Sequence, residues 1–139
     1  MSEQLSAIRG IEQGRASFAY KKVEEAREQL GEAAQKYKSY VKKIPMYIKT
    51  NGLGATLAFI KSKFLPKNGD KVYELIYQQL GEWLKRDDKE LVPADEDLTL
   101  AVISMNSTEY RAVTNELLAM LNWLRRFADG LIEGEADDD

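Results

Sequence analysis

The chain has 139 residues, 44% of them hydrophobic and 31% charged, and a formal net charge of −3. A length near 150 fits one domain with a core of its own. With neither cysteine nor histidine, the sequence excludes disulfides, thiol nucleophiles, histidine triads and Cys/His zinc sites, and leaves only carboxylate-bound Mg²⁺ or Mn²⁺ as metal chemistry.

Residues 3–34 are rich in Ala, Glu, Gln, Lys and Leu and predict one long helix, frayed or bent near Gly10 and Gly14. Leu5, Ile8, Ile11, Phe18, Val23, Ala26 and Leu30 broadly keep helical spacing along it. Residues 36–49 place Tyr37, Tyr40, Val41, Ile44 and Ile48 on one apolar stripe. Pro45 falls within this segment and predicts a kink or brief break. Asn51-Gly52 then supplies a C-cap pair suited to positive φ. A third helix is expected over 53–64, with Leu53, Leu57, Ile60 and Phe64 inward, ended by Pro66-Lys67-Asn68-Gly69. Asp70 caps a fourth over about 71–86, which carries Val72, Leu75, Ile76, Leu80, Trp83 and Leu84.

Residues 87–96 read as a charged loop, the least ordered internal segment. A short helix is expected near 97–105. Asn106 and Glu109 have capping-box spacing ahead of the last helix, which runs through Tyr110, Val113, Leu117, Met120, Leu121, Leu124, Phe127, Ala128 and Leu131. Gly134 to Asp139 reads as a disordered acidic tail behind a single domain, 1–133. No segment alternates like a strand, so the expected fold is all-α, a compact bundle of five to six helices.

Met1-Ser2-Glu3-Gln4 lacks the basic start and apolar run of a signal peptide, and the longest uncharged stretches, Thr50–Ile60 and Leu98–Thr108, are too short to span a bilayer. The expectation is a soluble, cytoplasmic chain with no membrane partner.

The small net charge hides a division. Residues 1–71 hold 14 Lys/Arg against 7 Asp/Glu, whereas residues 72–139 hold 6 against 16. Between Lys36 and Lys71 nine lysines face one acid, Asp70. Such asymmetry points to a polyanionic partner. On the second helix Lys38, Lys42 and Lys49 cluster on one side of the apolar stripe, and Lys36 and Lys43 on the other. Lys61, Lys63 and Lys67 follow beyond the Gly52–Gly54 turn. With helices two and three antiparallel, these groups would merge into one basic surface. Lysine is a point charge on a flexible stem, suited to following a phosphate backbone rather than reading bases. The nucleic-acid candidates are therefore Lys38, Lys42, Lys43, Lys49, Lys61, Lys63 and Lys67. Tyr37 and Tyr40 lie on the stripe and are read as core, while Tyr47 and Phe59 fall off their stripes and are candidates for a partner contact or base stacking.

Catalytic signals are weak. Asp87-Asp88 and Asp95-Glu96-Asp97 are neighbours on a loop and do not converge by spacing, and Glu74 and Glu82 have no counterpart in a di-metal pattern. Asn51-Gly52-Leu53-Gly54 could cradle a phosphate at a helix start, but it lacks the P-loop pattern and a preceding strand, and reads better as a helix-joining turn. No catalytic residue, metal or cofactor is assigned. A protein–protein adaptor whose lysines bind an acidic partner is the alternative to nucleic-acid binding, with a carboxylate-metal nuclease third.

Two stretches are similar to a known family. Tyr37-Lys-Ser-Tyr-Val-Lys-Lys-Ile-Pro45 followed by Ile48-Lys-Thr-Asn-Gly-Leu-Gly-Ala-Thr-Leu-Ala-Phe-Ile-Lys-Ser-Lys63, and Leu117-Leu-Ala-Met-Leu-Asn-Trp-Leu-Arg-Arg-Phe-Ala-Asp129, resemble the small helical subunit of the type III-B CRISPR RNA-targeting effector, the Cmr complex. Tyr73 to Leu84 fits the fourth helix of that family. The resemblance covers roughly 36–131. It implies an all-α, non-catalytic subunit of an antiviral effector. Copies would stack along the groove that holds guide RNA and its paired target, beside larger backbone subunits that make the cut. The lysine surface would then meet RNA phosphates, and the unlike charge of the two halves would suit head-to-tail stacking.

Overall fold

The computed structural model describes residues 2–86 and 91–134, with side chains from Arg9 onward. Six α-helices and one 3₁₀ turn make up the ordered elements among them: α1 Ser2–Leu30, the turn Gly31–Ala33, α2 Ala34–Asn51, α3 Leu53–Phe64, α4 Lys71–Leu84, α5 Leu98–Ile103 and α6 Ser107–Leu131. No strand occurs among the described residues. The expected all-α bundle is thus what forms.

Local chemistry sets most boundaries. α1 runs unbroken past Gly10 and Gly14 and stops earlier than expected, because Gly31 takes φ +56°, a left-handed conformation that ends a helix. At the end of α2, Gly52 takes φ 91° and donates its N–H to the Ile48 carbonyl at 2.8 Å. Asp70 caps α4 by accepting from the Val72 N–H at 2.9 Å, and Asp97 caps α5 by accepting from the Leu100 N–H at 3.1 Å. Asn106 and Glu109 exchange reciprocal bonds of 2.8 and 3.2 Å, completing the capping box of α6. Asn68 adopts φ 67° in the turn after α3, a conformation that asparagine tolerates.

Pro45 does not break α2. Its ring deletes one backbone donor, yet Val41, Ile44 and Ile48 are all buried and fasten the helix on both sides of it. The fourth helix ends at Leu84, two residues early, and the short fifth is trimmed to six residues. Of the expected loop 87–96, residues 87–90 lie outside the described residues, as do residues 135–139 of the expected tail.

α6 is the central strut. α1 and α2 both pack along it and meet each other, while α3 and α4 pair with each other and close over α2, and α5 covers α3. Tyr37 and Ile44 from α2, Leu57 and Ile60 from α3, Ile76 and Leu80 from α4, and Leu117 and Leu124 from α6 are fully buried together. Burial of each such side chain contributes roughly 1.5–3 kcal/mol. The buried polar groups are matched. The Tyr37 hydroxyl donates to Gln79 Oε1 at 2.7 Å, and Gln79 Nε2 donates to the Lys22 carbonyl at 3.1 Å, so one amide joins α1, α2 and α4.

Candidate nucleic-acid interface

α2 presents two flanks beside its buried stripe. The flank bearing Lys36, Lys43, Tyr40 and Tyr47 faces α3 and α4. There four rings follow in series. Tyr40 stacks on Tyr73 at 4.0 Å, Tyr73 meets Phe59 edge-on at 5.9 Å, and Phe59 meets Tyr47 edge-on at 5.6 Å. The Tyr40 hydroxyl donates to Asp70 Oδ2 at 2.8 Å. Burial, with Asp70 beside it, raises the Tyr40 phenol well above its ordinary value, and burial together with Tyr47 and Asp70 pushes Tyr73 up to about 12. Both phenols stay neutral. Tyr47, Asn51, Ala55, Thr56 and Phe59 line an open groove of about 470 Å³, and Lys63 Nζ lies 5.1 Å from the centre of the half-exposed Phe59 ring. Tyr47 and Phe59 thus lie together at the surface, as their positions off the stripes suggest.

The other flank bears Lys38, Lys42 and Lys49 and faces α6. Lys38 departs from its expected outward position. It is buried, and its Nζ donates to the carbonyls of Ile132 at 3.1 Å and Gly134 at 2.5 Å, beyond the end of α6. A cation there meets the C-cap carbonyl that the helix leaves unpaired and the Gly134 carbonyl just beyond it. Its role is to close the end of α6, and it is withdrawn from the nucleic-acid candidates. Lys42 and Lys49 remain exposed. Lys49 and Pro45 form one wall of a second open groove of about 390 Å³, whose other wall is Leu118, Ala119, Asn122 and Arg125 of α6.

Lys61 belongs to neither flank. It donates to Asp97 Oδ1 at 2.9 Å and lies 5.8 Å from the Tyr77 ring, between α3, α4 and α5. Lys61 pulls the Asp97 carboxyl below its ordinary range, and Asp97 in turn raises the Lys61 ammonium. Lys67 is exposed in the turn after α3. The expected single basic surface is therefore divided into Lys43 and Lys63 beside the ring series and Lys42 and Lys49 beside α6, with Lys61 held by an acid. α2 itself stands between the first two groups.

Arg125 is the residue that the sequence reading missed. It sits in the acidic half; its spacing from Leu118 and Asn122 places all three on one flank of α6, but only the packing of α6 against α2 sets that flank beside Lys49. The Gly52–Gly54 turn is not an anion cradle. The Gly54 N–H donates to the Tyr110 hydroxyl at 2.8 Å, so α6 already occupies the start of α3. A side chain at Gly54 would bring its Cβ to 3.2 Å from Ile103 Cγ2, which explains the small residue.

The acidic residues are spread out or engaged. Asp87 and Asp88 lie outside the described residues. Asp95 and Glu96 are exposed, Asp97 caps α5, and Glu82 pairs with Lys22. Among the described residues no three carboxylates come together as a metal site, and no helix is long and apolar enough to cross a membrane.

Residues 11–131 match the family model described as CRISPR-associated protein (Cas_Cmr5). A Thermus thermophilus protein described as CRISPR system Cmr subunit Cmr5 is 33% identical over 119 residues, covering 85% of this chain and 92% of that one. The X-ray crystal structure of a CRISPR-associated Cmr5 family protein from the same organism superposes with a TM-score of 0.70 at 31% identity, over 88% of this chain and 97% of that one. Sequence and fold agree along nearly the whole bundle, and the chain belongs to the Cmr5 family of CRISPR-associated proteins.

Proposed function

We propose that this chain is a non-catalytic small subunit of a type III-B CRISPR effector, the Cmr complex, and that it holds RNA by its backbone while copies stack head to tail. The observation that carries the reading is the family match over 11–131. The relative's description as a Cmr subunit supports the assembly. The lysines of α2, α3 and the following turn support the RNA contact. Lys42, Lys43, Lys49, Lys63 and Lys67 carry it, with Lys61 shared with Asp97. Its partners are the guide and target RNA, the other effector subunits and further copies of itself, in the cytoplasm. Lysines tracking phosphates give affinity without sequence choice, and guide–target base pairing supplies the specificity.

The test is reconstitution of the effector with the wild-type chain or with the K42E/K43E variant. The wild-type chain co-purifies with the other subunits and increases retention of target RNA, with affinity that falls steeply with salt. The variant keeps its helical spectrum but weakens RNA retention or assembly on target. If assembly and retention are both unchanged, the lysines serve only solvation and the RNA-holding role is wrong.

A further inference from the structure

We propose that the groove between α2 and α6 seats one backbone phosphate of the bound RNA strand between Lys49 and Arg125. The inference rests on the RNA-binding reading above and adds to it a place and an arginine from the acidic half of the chain.

Lys49 and Arg125 come from helices far apart in sequence and line the same open groove of about 390 Å³. Both are exposed, and among the described residues neither is paired with a carboxylate. Arg125 Nη2 donates to Asn122 Oδ1 at 3.2 Å. That bond orients the guanidinium and uses one of its five N–H donors, which leaves the rest of the fork for an oxyanion. Asp129, one turn further along α6, forms no ion pair with either cation. Two like charges on opposite walls of one groove repel, and an anion lying between them relieves that repulsion.

The walls also discriminate among anions. Both are helices whose backbone groups are already bonded, so a peptide strand finds no edge to pair with. A phosphate needs only charge and N–H donors. Lys42 lies two turns before Lys49 on the same flank, ~10.5 Å along the axis. A strand seated at Lys49 and Arg125 therefore has a third cation along its path.

The test measures binding of a fluorescent oligouridylate to the full chain over a series of salt concentrations. The variants are R125Q, K49Q and the double, and the control is R126Q. Arg126 has the same charge but lies 5.7 Å from the Trp123 ring, away from the groove. Loss of one phosphate contact lowers the magnitude of the log K against log salt slope by about 0.7. R125Q and K49Q each show that loss. The double shows no more than either single, because both cations hold one phosphate. R126Q shows none, and all variants keep the helical spectrum. If R125Q behaves like R126Q, or if the two losses add, the shared site is wrong while RNA binding itself stands. If the variants lose binding of polyglutamate but not of RNA, the groove docks an acidic protein and the proposal falls. If the wild-type chain binds no oligouridylate, the RNA-binding reading falls with it.

Discussion

Arg15 on α1 and Glu116 on α6 are joined by two parallel hydrogen bonds of 2.9 Å each, guanidinium to carboxylate. The same carboxylate accepts the Trp83 indole N–H at 2.9 Å, so α1, α4 and α6 meet on one side chain. Glu116 holds the Arg15 charge more firmly than in water, and the side chains of both are largely sheltered. Arg86 closes the site from outside, 5.0 Å from the Trp83 ring.

Glu116→Ala leaves the Trp83 N–H and the Arg15 Nε and Nη2 donors without their acceptor, with Glu12 still on Arg15 Nη1. The expected loss of stability is about 2–4 kcal/mol. Glu116→Gln keeps an acceptor for the indole and loses the charge, so it costs less than half as much. Urea unfolding of the two variants checks the order. Equal losses would mean that Trp83 contributes nothing through this bond.

Lys38→Met separates the two lysine roles. The variant removes the donors to the Ile132 and Gly134 carbonyls. We expect about 1–2 kcal/mol of destabilisation and an unchanged salt slope for RNA. Lys43→Gln should do the reverse. A change of RNA slope in Lys38→Met would return Lys38 to the interface.

Tyr37, Tyr40 and Tyr73 all have phenol pKa values raised by burial. A group raised in the folded state adds stability that is fully present below its unfolded value, near 10, and is lost as pH climbs toward the folded value. At pH about 11, absorbance at the phenolate band should therefore show these three of the seven tyrosines still protonated while the helical spectrum persists. Full ionisation at that pH in a folded chain would contradict the burial of Tyr37 and Tyr73 and the partial burial of Tyr40.

Asp97→Asn tests the pairing on α5. Asparagine retains the capping oxygen but not the charge that meets Lys61. Because Lys61 lowers the Asp97 pKa, the pair adds stability above the ordinary carboxylate value of 3.8 and loses it as pH falls through the lower folded value. Both groups are partly exposed, so the effect stays below about 1 kcal/mol. Unfolding midpoints at neutral and acid pH should differ less in the variant than in the wild type. An unchanged difference would mean that the pair is screened to nothing.

Tyr110→Phe strips the acceptor from the Gly54 N–H at the α3 start and should cost about 1 kcal/mol. Hydrogen exchange at Gly54 reports it directly. Unchanged protection would mean that another group takes the bond.

Most helix ends are legible in the sequence, because caps are local chemistry. Asp70, Asn51-Gly52 and the Asn106–Glu109 box each act within a few residues. Pro45 taken by its own geometry predicts a break, whereas buried neighbours on either side of it keep α2 whole. The site is less legible for a related reason. Spacing along α2 gives the flank of Lys38 correctly, but its burial depends on the end of α6, 94 residues away. Arg125 is hidden in the same way, since composition assigns it to the acidic half and only packing brings α6 beside Lys49. Phe59 and Tyr47 can be found because a ring off an apolar stripe is visible without knowing its neighbour.

The distance between Arg15 and Glu116 also sets a timetable for synthesis. α1 leaves the ribosome well before its main packing partner, α6. With 101 residues between the two and translation at ~5–20 residues per second, α1 waits roughly 5–20 s for that partner. Throughout that interval Phe18, Val23 and Ala26, buried in the finished bundle, have no α6 to cover them. Until α6 emerges, that apolar face of α1 stays open to chaperones, and a ribosome stalled before α6 carries a bundle that cannot close.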